Sequence, residues 1–195
     1  MTGGSISRRG MAAGFGLLAL VGGCGTSLPP RLFTIAARPA ASPAQTSMKV
    51  VVRAVEVAKY LDRPEIVRYR DAYELQIEEL ERWGEGMRDM TTRVLIENLS
   101  LRLPASEILA ESSAVSPTAD ATVEVDISRF DVDESGRITL NARWAVRRGG
   151  GAQRASVRQE RISIRPPSAS VTDLVAAMSD AFAQLSDHIA QGITA

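Results

Sequence analysis

Cys24 is the only cysteine in the chain, and its setting gives it the clearest chemistry. It follows the cationic Ser7-Arg8-Arg9, an apolar run of 11 residues from Met11 to Val21, and the small pair Gly22-Gly23. A cationic start, a short apolar core and small residues before a cut site make an export signal. A run of 11 is too short to span a bilayer. Val21-Gly22-Gly23-Cys24 looks like a bacterial lipobox, in which the cysteine sulfur receives a diacylglyceryl group and cleavage frees its amine for a further acyl chain. An exported protein with one unpaired thiol otherwise risks unwanted disulfides, which favours acylation. Each buried methylene is worth about 0.8 kcal/mol and two chains anchor stably, so an acylated Cys24 ties the protein to a membrane. The alternative is a signal cut at Ala or Gly that leaves Cys24 as an ordinary residue near the mature N-terminus. Ser7-Arg8-Arg9 also fits twin-arginine export, which reveals nothing of function.

Other chemistry is sparse. The single histidine, His188, falls on the polar side of the last helix; without a second His or a Cys it cannot build a zinc site. No Ser-His-Asp arrangement has a supporting context. The acidic pair Glu78-Glu79 adjoins a strand end and reads as solvated. Gly149-Gly150-Gly151 lies inside a hairpin, not between a strand and a helix, so nucleotide binding has no support. The expectation is a non-catalytic protein with no metal and no cofactor. The chain has 23 basic and 23 acidic residues, and residues 1–23 contain Arg8 and Arg9 and no acid, which leaves the remaining 172 at −2. That balance provides no electrostatic footprint for nucleic acid and no basic stripe for an anionic membrane surface.

The elements that must position these side chains follow from pattern. Residues 1–23 read as the signal peptide, 24–30 as a lipidated tether and 31–195 as one domain. Six extended residues, Gly25 to Pro30, reach only about 20 Å. Arg31 to Ile35 reads as a first strand and Ala36 to Ser47 as a flexible connection. Met48 to Val57, rich in valine on both parities, predicts a central strand covered on both faces or bulged. A loop from Ala58 closes at Pro64 and leads to a short strand, a turn at Asp71-Ala72 and a returning strand at Tyr73 to Ile77. Glu81-Arg82-Trp83 hands the chain to a helix on which Met87, Met90, Val94, Leu95, Asn98 and Leu101 recur at threes and fours, with Pro104 as its stop.

Ser106 to Glu111 reads as a strand and Ser112 to Asp120 as a polar loop. Val123, Val125 and Ile127 alternate with polar residues. The parity then slips at Ser128-Arg129, so that Phe130 and Val132 are apolar and a bulge is predicted. A turn at 133–136 leads to a strand with Ile138, Leu140, Ala142, Trp144 and Val146 on one face, and Arg154 to Ile164 returns. The arginines of the opposite face, Arg143 among them, are expected to be solvated, with a partner or lipid phosphate as the alternative. Ser170 to Asp173 resembles a capping box before a helix ending near Ile193. Its stripe of Val171, Leu174, Val175, Met178, Phe182, Leu185 and Ile189 is read as docking on the sheet; Asp173, Asp180 and Asp187 suit a membrane-lying helix poorly. The fold class is therefore α+β: a single domain, mainly antiparallel sheet packed against two helices at about 84–103 and 170–193.

The lipobox, the first strand with Phe33, the segment Tyr60-Leu61-Asp62-Arg63-Pro64-Glu65-Ile66-Val67, and the Glu81-Arg82-Trp83 step before Val94-Leu95 and Glu97-Asn98-Leu99 together resemble the ABC-type transport auxiliary lipoprotein family. The meander and C-terminal helix extend the resemblance over nearly the whole mature chain. In many members a proline follows the tryptophan, whereas this chain has Trp83-Gly84-Glu85-Gly86-Met87. The resemblance implies a periplasmic lipoprotein held in the outer membrane, in keeping with Gly25 rather than Asp after the cysteine. It further implies an MCE-domain partner anchored in the inner membrane, which forms a path for lipids across the envelope. A ring-shaped homo-oligomer and contact with phospholipid come with the family and are not argued by the residues. Tyr60, Leu61, Pro64 and Trp83 are the candidate partner interface, because aromatic and apolar residues at loop edges serve as anchors; Trp83 equally suits the helix–sheet core. Two further readings remain beside the transport accessory. One is a structural or assembly lipoprotein of an envelope complex, the other a hydrolase with a polar pocket near His188 or Arg143.

Overall fold

The computed structural model describes residues 28–111, 118–149 and 157–195. The signal segment, Cys24, most of the expected loop from Ser112 to Asp120, Gly150-Gly151 and the expected strand start at Arg154 lie outside these residues. In chain order the strands are β1 (Arg31–Phe33), β2 (Lys49–Val52), β3 (Glu56–Val57), β4 (Glu65–Tyr69) and β5 (Leu75–Trp83), followed by helix α1 (Met87–Arg102). Then come β6 (Glu107–Ala110), β7 (Ala121–Val132), β8 (Ile138–Arg148), β9 (Val157–Ile164) and helix α2 (Val171–Thr194).

The nine strands of the described residues join one open sheet, and with two helices the domain is α+β as expected. The long ladders, β7 with β8, β8 with β9 and β4 with β5, are antiparallel. Parallel pairs are short: β2, β3 and β4 succeed one another along the other edge of β7, β6 pairs with β2, and β1 pairs with β5. The expected single strand at 48–57 is thus two, β2 and β3, separated by Arg53-Ala54-Val55. Both still follow β7, because Arg53 N donates to Val123 O at 3.0 Å and Ala58 N to Ile127 O at 2.9 Å. The predicted slip is present: the β7–β8 register shifts between Ile127 and Arg129, which returns Phe130 and Val132 to the buried face. The turn after β7 is closed by Asp133, whose Oδ1 accepts from the backbone N–H of Ser135 and Arg137, with Gly136 at φ 76°. Glu81-Arg82-Trp83 belongs to β5, paired with β1, and the helix begins only at Met87.

Helix α2 lies across β7, β8 and β9, and α1 packs on α2, β6 and β3. Its start is capped as expected: Ser170 Oγ accepts from Asp173 N at 3.2 Å. Phe182 stacks on Phe130, ring centroids 5.9 Å apart, at the centre of a single core. Burying such a ring pair contributes beyond its area, by about 0.5–1.5 kcal/mol. On α1 one expectation fails. Leu101 is exposed, while Leu99 and Arg102 turn inward. Arg102 continues the stripe four residues after Asn98, and its buried guanidinium is satisfied from three directions. Nε donates to Asp187 Oδ1 at 2.7 Å on α2, Nη2 to Ala183 O at 3.0 Å, and Nη1 to Arg38 O at 3.2 Å and Asn98 O at 3.1 Å.

Loss of Arg102 takes the donor from Asp187 Oδ1 and from Arg38 O and opens a void between the helices, so Arg102→Ala is expected to cost about 3 kcal/mol in urea denaturation. Arg93 has comparable ion pairs, to Glu85 and Glu97, but is solvent-exposed; Arg93→Ala is expected to cost less than about 1 kcal/mol in the same assay. A Cβ added at Gly192 would stand 2.7 Å from Trp144 Cζ3, so Gly192→Ala is expected to cost about 1–3 kcal/mol through displacement of the indole.

Candidate functional site

The loop between β3 and β4 holds three of the four candidate interface residues. Turn bonds from Leu61 N to Ala58 O and Asp62 N to Lys59 O curl it over the end of β7. Leu61 thereby enters the core at 3% exposure, and Trp83 does so at 6%. Trp83 is tied to the loop through its backbone, its N–H donating to Pro64 O at 2.7 Å. Pro64 itself is exposed and Tyr60 half-buried. The four residues are therefore neighbours, but a partner on this surface would meet Pro64 and the outer edge of Tyr60, with Leu61 and Trp83 supporting from beneath.

Tyr60 leads to a cluster that the pattern of the sequence did not single out. Its hydroxyl donates to Asp131 Oδ2 at 2.6 Å, and Arg129 Nε donates to Asp131 Oδ1 at 2.9 Å. Arg129 lies over the Tyr69 ring, 4.3 Å from its centroid, and Tyr69 meets Tyr60 edge-on at 6.4 Å. Asp131 is fully buried on the sheet face opposite Phe130 and Val132. Burial raises its proton affinity above the ordinary carboxylate value, and the Tyr60 and Arg129 bonds pull back without cancelling it. Burial, then the adjoining carboxylate, raise Tyr60 as well and keep its phenol protonated as a donor. The parity slip was the available signal: after Arg129 every side chain changes face, which puts Asp131 beneath the 58–64 loop.

A groove of about 560 Å³ opens on the polar face of the sheet. Four arginines line it, and each has an acidic partner. Arg143 Nη2 meets Asp126 at 2.5 Å, Arg147 Nη2 meets Glu124 at 3.1 Å, and Arg53 reaches both Glu124 at 2.6 Å and Glu111 at 3.2 Å. Arg88 Nη2 pairs with Glu56 at 2.6 Å. Among the described residues its walls contain no Ser, Cys, His or Tyr side chain. Such a surface is charge-compensated, and a bound anion would have to break existing pairs. His188 lies elsewhere, its Nδ1 2.5 Å from Glu160 Oε2, while Glu160 Oε1 accepts from Trp144 Nε1 at 3.2 Å. Among the described residues no cluster of three or more His, Cys, Asp or Glu side chains could hold a metal. No helix among them is long and apolar enough to cross a membrane.

A family model described as "ABC-type transport auxiliary lipoprotein component" matches residues 32–190. No curated protein matches the chain. Among solved structures, an uncharacterized protein superimposes with a TM-score of 0.72 at 16% identity, over 85% of this chain and 99% of the other. Protein XCC0632 from Xanthomonas campestris, of the DUF330 family, gives a TM-score of 0.67 at 19% identity, over 84% and 95% of the two chains. At these identities the two structures share the fold with this chain.

The Tyr60–Asp131 bond sets a pH test. With its proton affinity raised above the ordinary value of about 3.9, Asp131 holds its proton more tightly folded than unfolded, so its contribution to stability is lost as pH rises through that window. Tyr60→Phe removes a donor to the charged form and extends the window upward. The variant is expected to lose about 1–3 kcal/mol at pH 7 and much less at pH 3.5, read by urea denaturation at both pH values.

Proposed function

We propose that this chain, which belongs to the family of ABC-type transport auxiliary lipoprotein components, is a non-catalytic accessory of a lipid-transporting MCE system, held at the periplasmic face of the outer membrane by acylated Cys24. The family match carries the reading, because it spans the folded domain from Leu32 to Ala190 and leaves outside it, at the N-terminal end, the leader with its lipobox. Physical reach supports it. A tether of six residues extends about 20 Å, so the domain stays beside its own bilayer and cannot itself bridge two membranes. A transport path across the envelope then requires a long partner, an MCE-domain protein, on which this domain docks. The Pro64 and Tyr60 surface is the proposed contact, with Leu61 and Trp83 holding its shape. Phospholipid as cargo and a ring of several copies around the end of the partner belong to the same proposal.

Cys24→Ala is expected to move the protein from the membrane fraction to the soluble periplasmic fraction after cell fractionation. Affinity purification of the wild-type protein from detergent-solubilised envelope, with mass spectrometry of proteins and extracted lipids, is expected to recover an MCE-domain protein. Recovery of neither that protein nor phospholipid, from acylated and folded material, would move the assignment to a structural role in an envelope complex.

A further inference from the structure

Eight large apolar side chains stand out in solvent among the described residues, and six of them share one edge of the sheet. They are Leu28 and Leu32, in and before β1, and Tyr73, Leu75, Ile77 and Leu80, at the tip and along the strand of the β4–β5 hairpin. Tyr73 is 98% exposed, Leu28 72% and Leu32 68%. Strand β1 pairs only with Glu81, Arg82 and Trp83, so the outer edge of β5 from Leu75 to Leu80 has no neighbouring strand among the described residues. Unpaired strand edges lined with apolar side chains are sticky, and an apolar patch of this kind marks a contact surface.

The chain itself indicates what covers this edge. Strand β1 runs parallel to β5 with Arg31 opposite Glu81, so the residues before Arg31 head back along β5 toward Leu75 and the hairpin tip. Leu28 stands four residues after Cys24, a stretch that extends to at most about 14 Å. An anchor at Cys24 is therefore held within that distance of Leu28, which stands at this same edge of the sheet. The charges along this edge are largely paired, Arg68 with Glu78 at 2.8 Å, Arg70 with Glu74 at 3.1 Å and Arg31 with Glu81 at 3.9 Å. Its attraction is thus apolar and not electrostatic. Tyrosine, with an apolar ring and a polar tip, suits the boundary between headgroups and acyl chains.

We propose that the β1/β5 edge, led by Tyr73, is a membrane seat: it rests in the headgroup boundary of the bilayer that holds Cys24 and fixes how the domain stands on it. The inference rests on the lipoprotein reading above and adds an orientation to it. The seat places β5 against lipid and turns β9 and the opposite end of the sheet away from it.

The single cysteine permits a test independent of cellular acylation. The mature chain, residues 24–195, is coupled through the Cys24 thiol to a maleimide-headgroup lipid in phosphatidylcholine vesicles, part of whose acyl chains are dibrominated. Tyr73→Trp places a reporter on the seat and Leu101→Trp one on the exposed side of α1, each read against the background of Trp83 and Trp144. The added Tyr73→Trp emission is expected to fall about two-fold in brominated vesicles, unchanged by salt, while Leu101→Trp is unaffected. Equal quenching of the two reporters, or none, would overturn the seat. A blue shift of Tyr73→Trp that grows with protein density without quenching would overturn it in favour of a second copy on this edge. Intact mass of the protein extracted from envelopes reads acylation separately, so an unmodified Cys24 counts against the lipoprotein reading and not against the vesicle result.

Discussion

Strand β7 offers two rows of backbone donors and acceptors, and the fold is hung on both. One row is filled along its whole length by β8. The other is shared in succession by β2, β3 and β4, so that three consecutive short segments meet one long template. Satisfying those buried backbone groups is obligatory, since each orphan would cost about as much as a lost hydrogen bond. This explains why β2 and β3 keep contact with β7 across the irregular Arg53–Val55 step. Short parallel contacts of one to three residue pairs would not hold by themselves; β2 and β3 take their order from the long strand beside them, and β4 from its ladder with β5 as well.

The helices close over one face of that template, and the opposite face is left to charge. Its arginines are matched by acids from β7, β3 and the end of β6, so the surface stays soluble without a strong sign. Each such exposed pair is worth roughly 0–1 kcal/mol and the set contributes order more than stability. Arg102 is the contrast. Its single guanidinium, taken out of water, binds two helices and the connection after β1, and no apolar side chain could reach those carbonyls in the same way.

Much of this was legible in the sequence because burial imposes a period. The alternation of β7 and β8, the slip at Ser128-Arg129, the cap at Ser170 and the stripe of α2 all follow from one face being dry. What escaped the pattern has a physical reason in each case. Leu101 and Arg102 exchanged roles because an arginine can be buried once carbonyls await it, which periodicity of apolar residues does not reveal. Trp83 closes a strand and does not open a helix, since the pairing with Phe33 that extends β5 comes from fifty residues upstream. The Tyr60–Asp131–Arg129 cluster joins a loop to a strand across 71 residues, and only the fold brings it together. Of the candidate interface, adjacency was legible and burial was not: Leu61 and Trp83 are apolar enough to serve either side.

The segment from Arg31 to Arg38 is bonded in turn to each part of the domain. Gly84 N donates to Phe33 O, Ile35 N to Met90 Sδ on α1, Ala36 N to Ser179 Oγ on α2, and Arg38 to Asn98 on α1 and Asp180 on α2. In mechanical terms this is a load path. A pull on the chain before Arg31 enters the molecule along β1, is loaded in shear against β5, and passes within eight residues to both helices. The domain thus takes up tension as one body, and the three-residue strand at its entrance can yield without the rest unravelling.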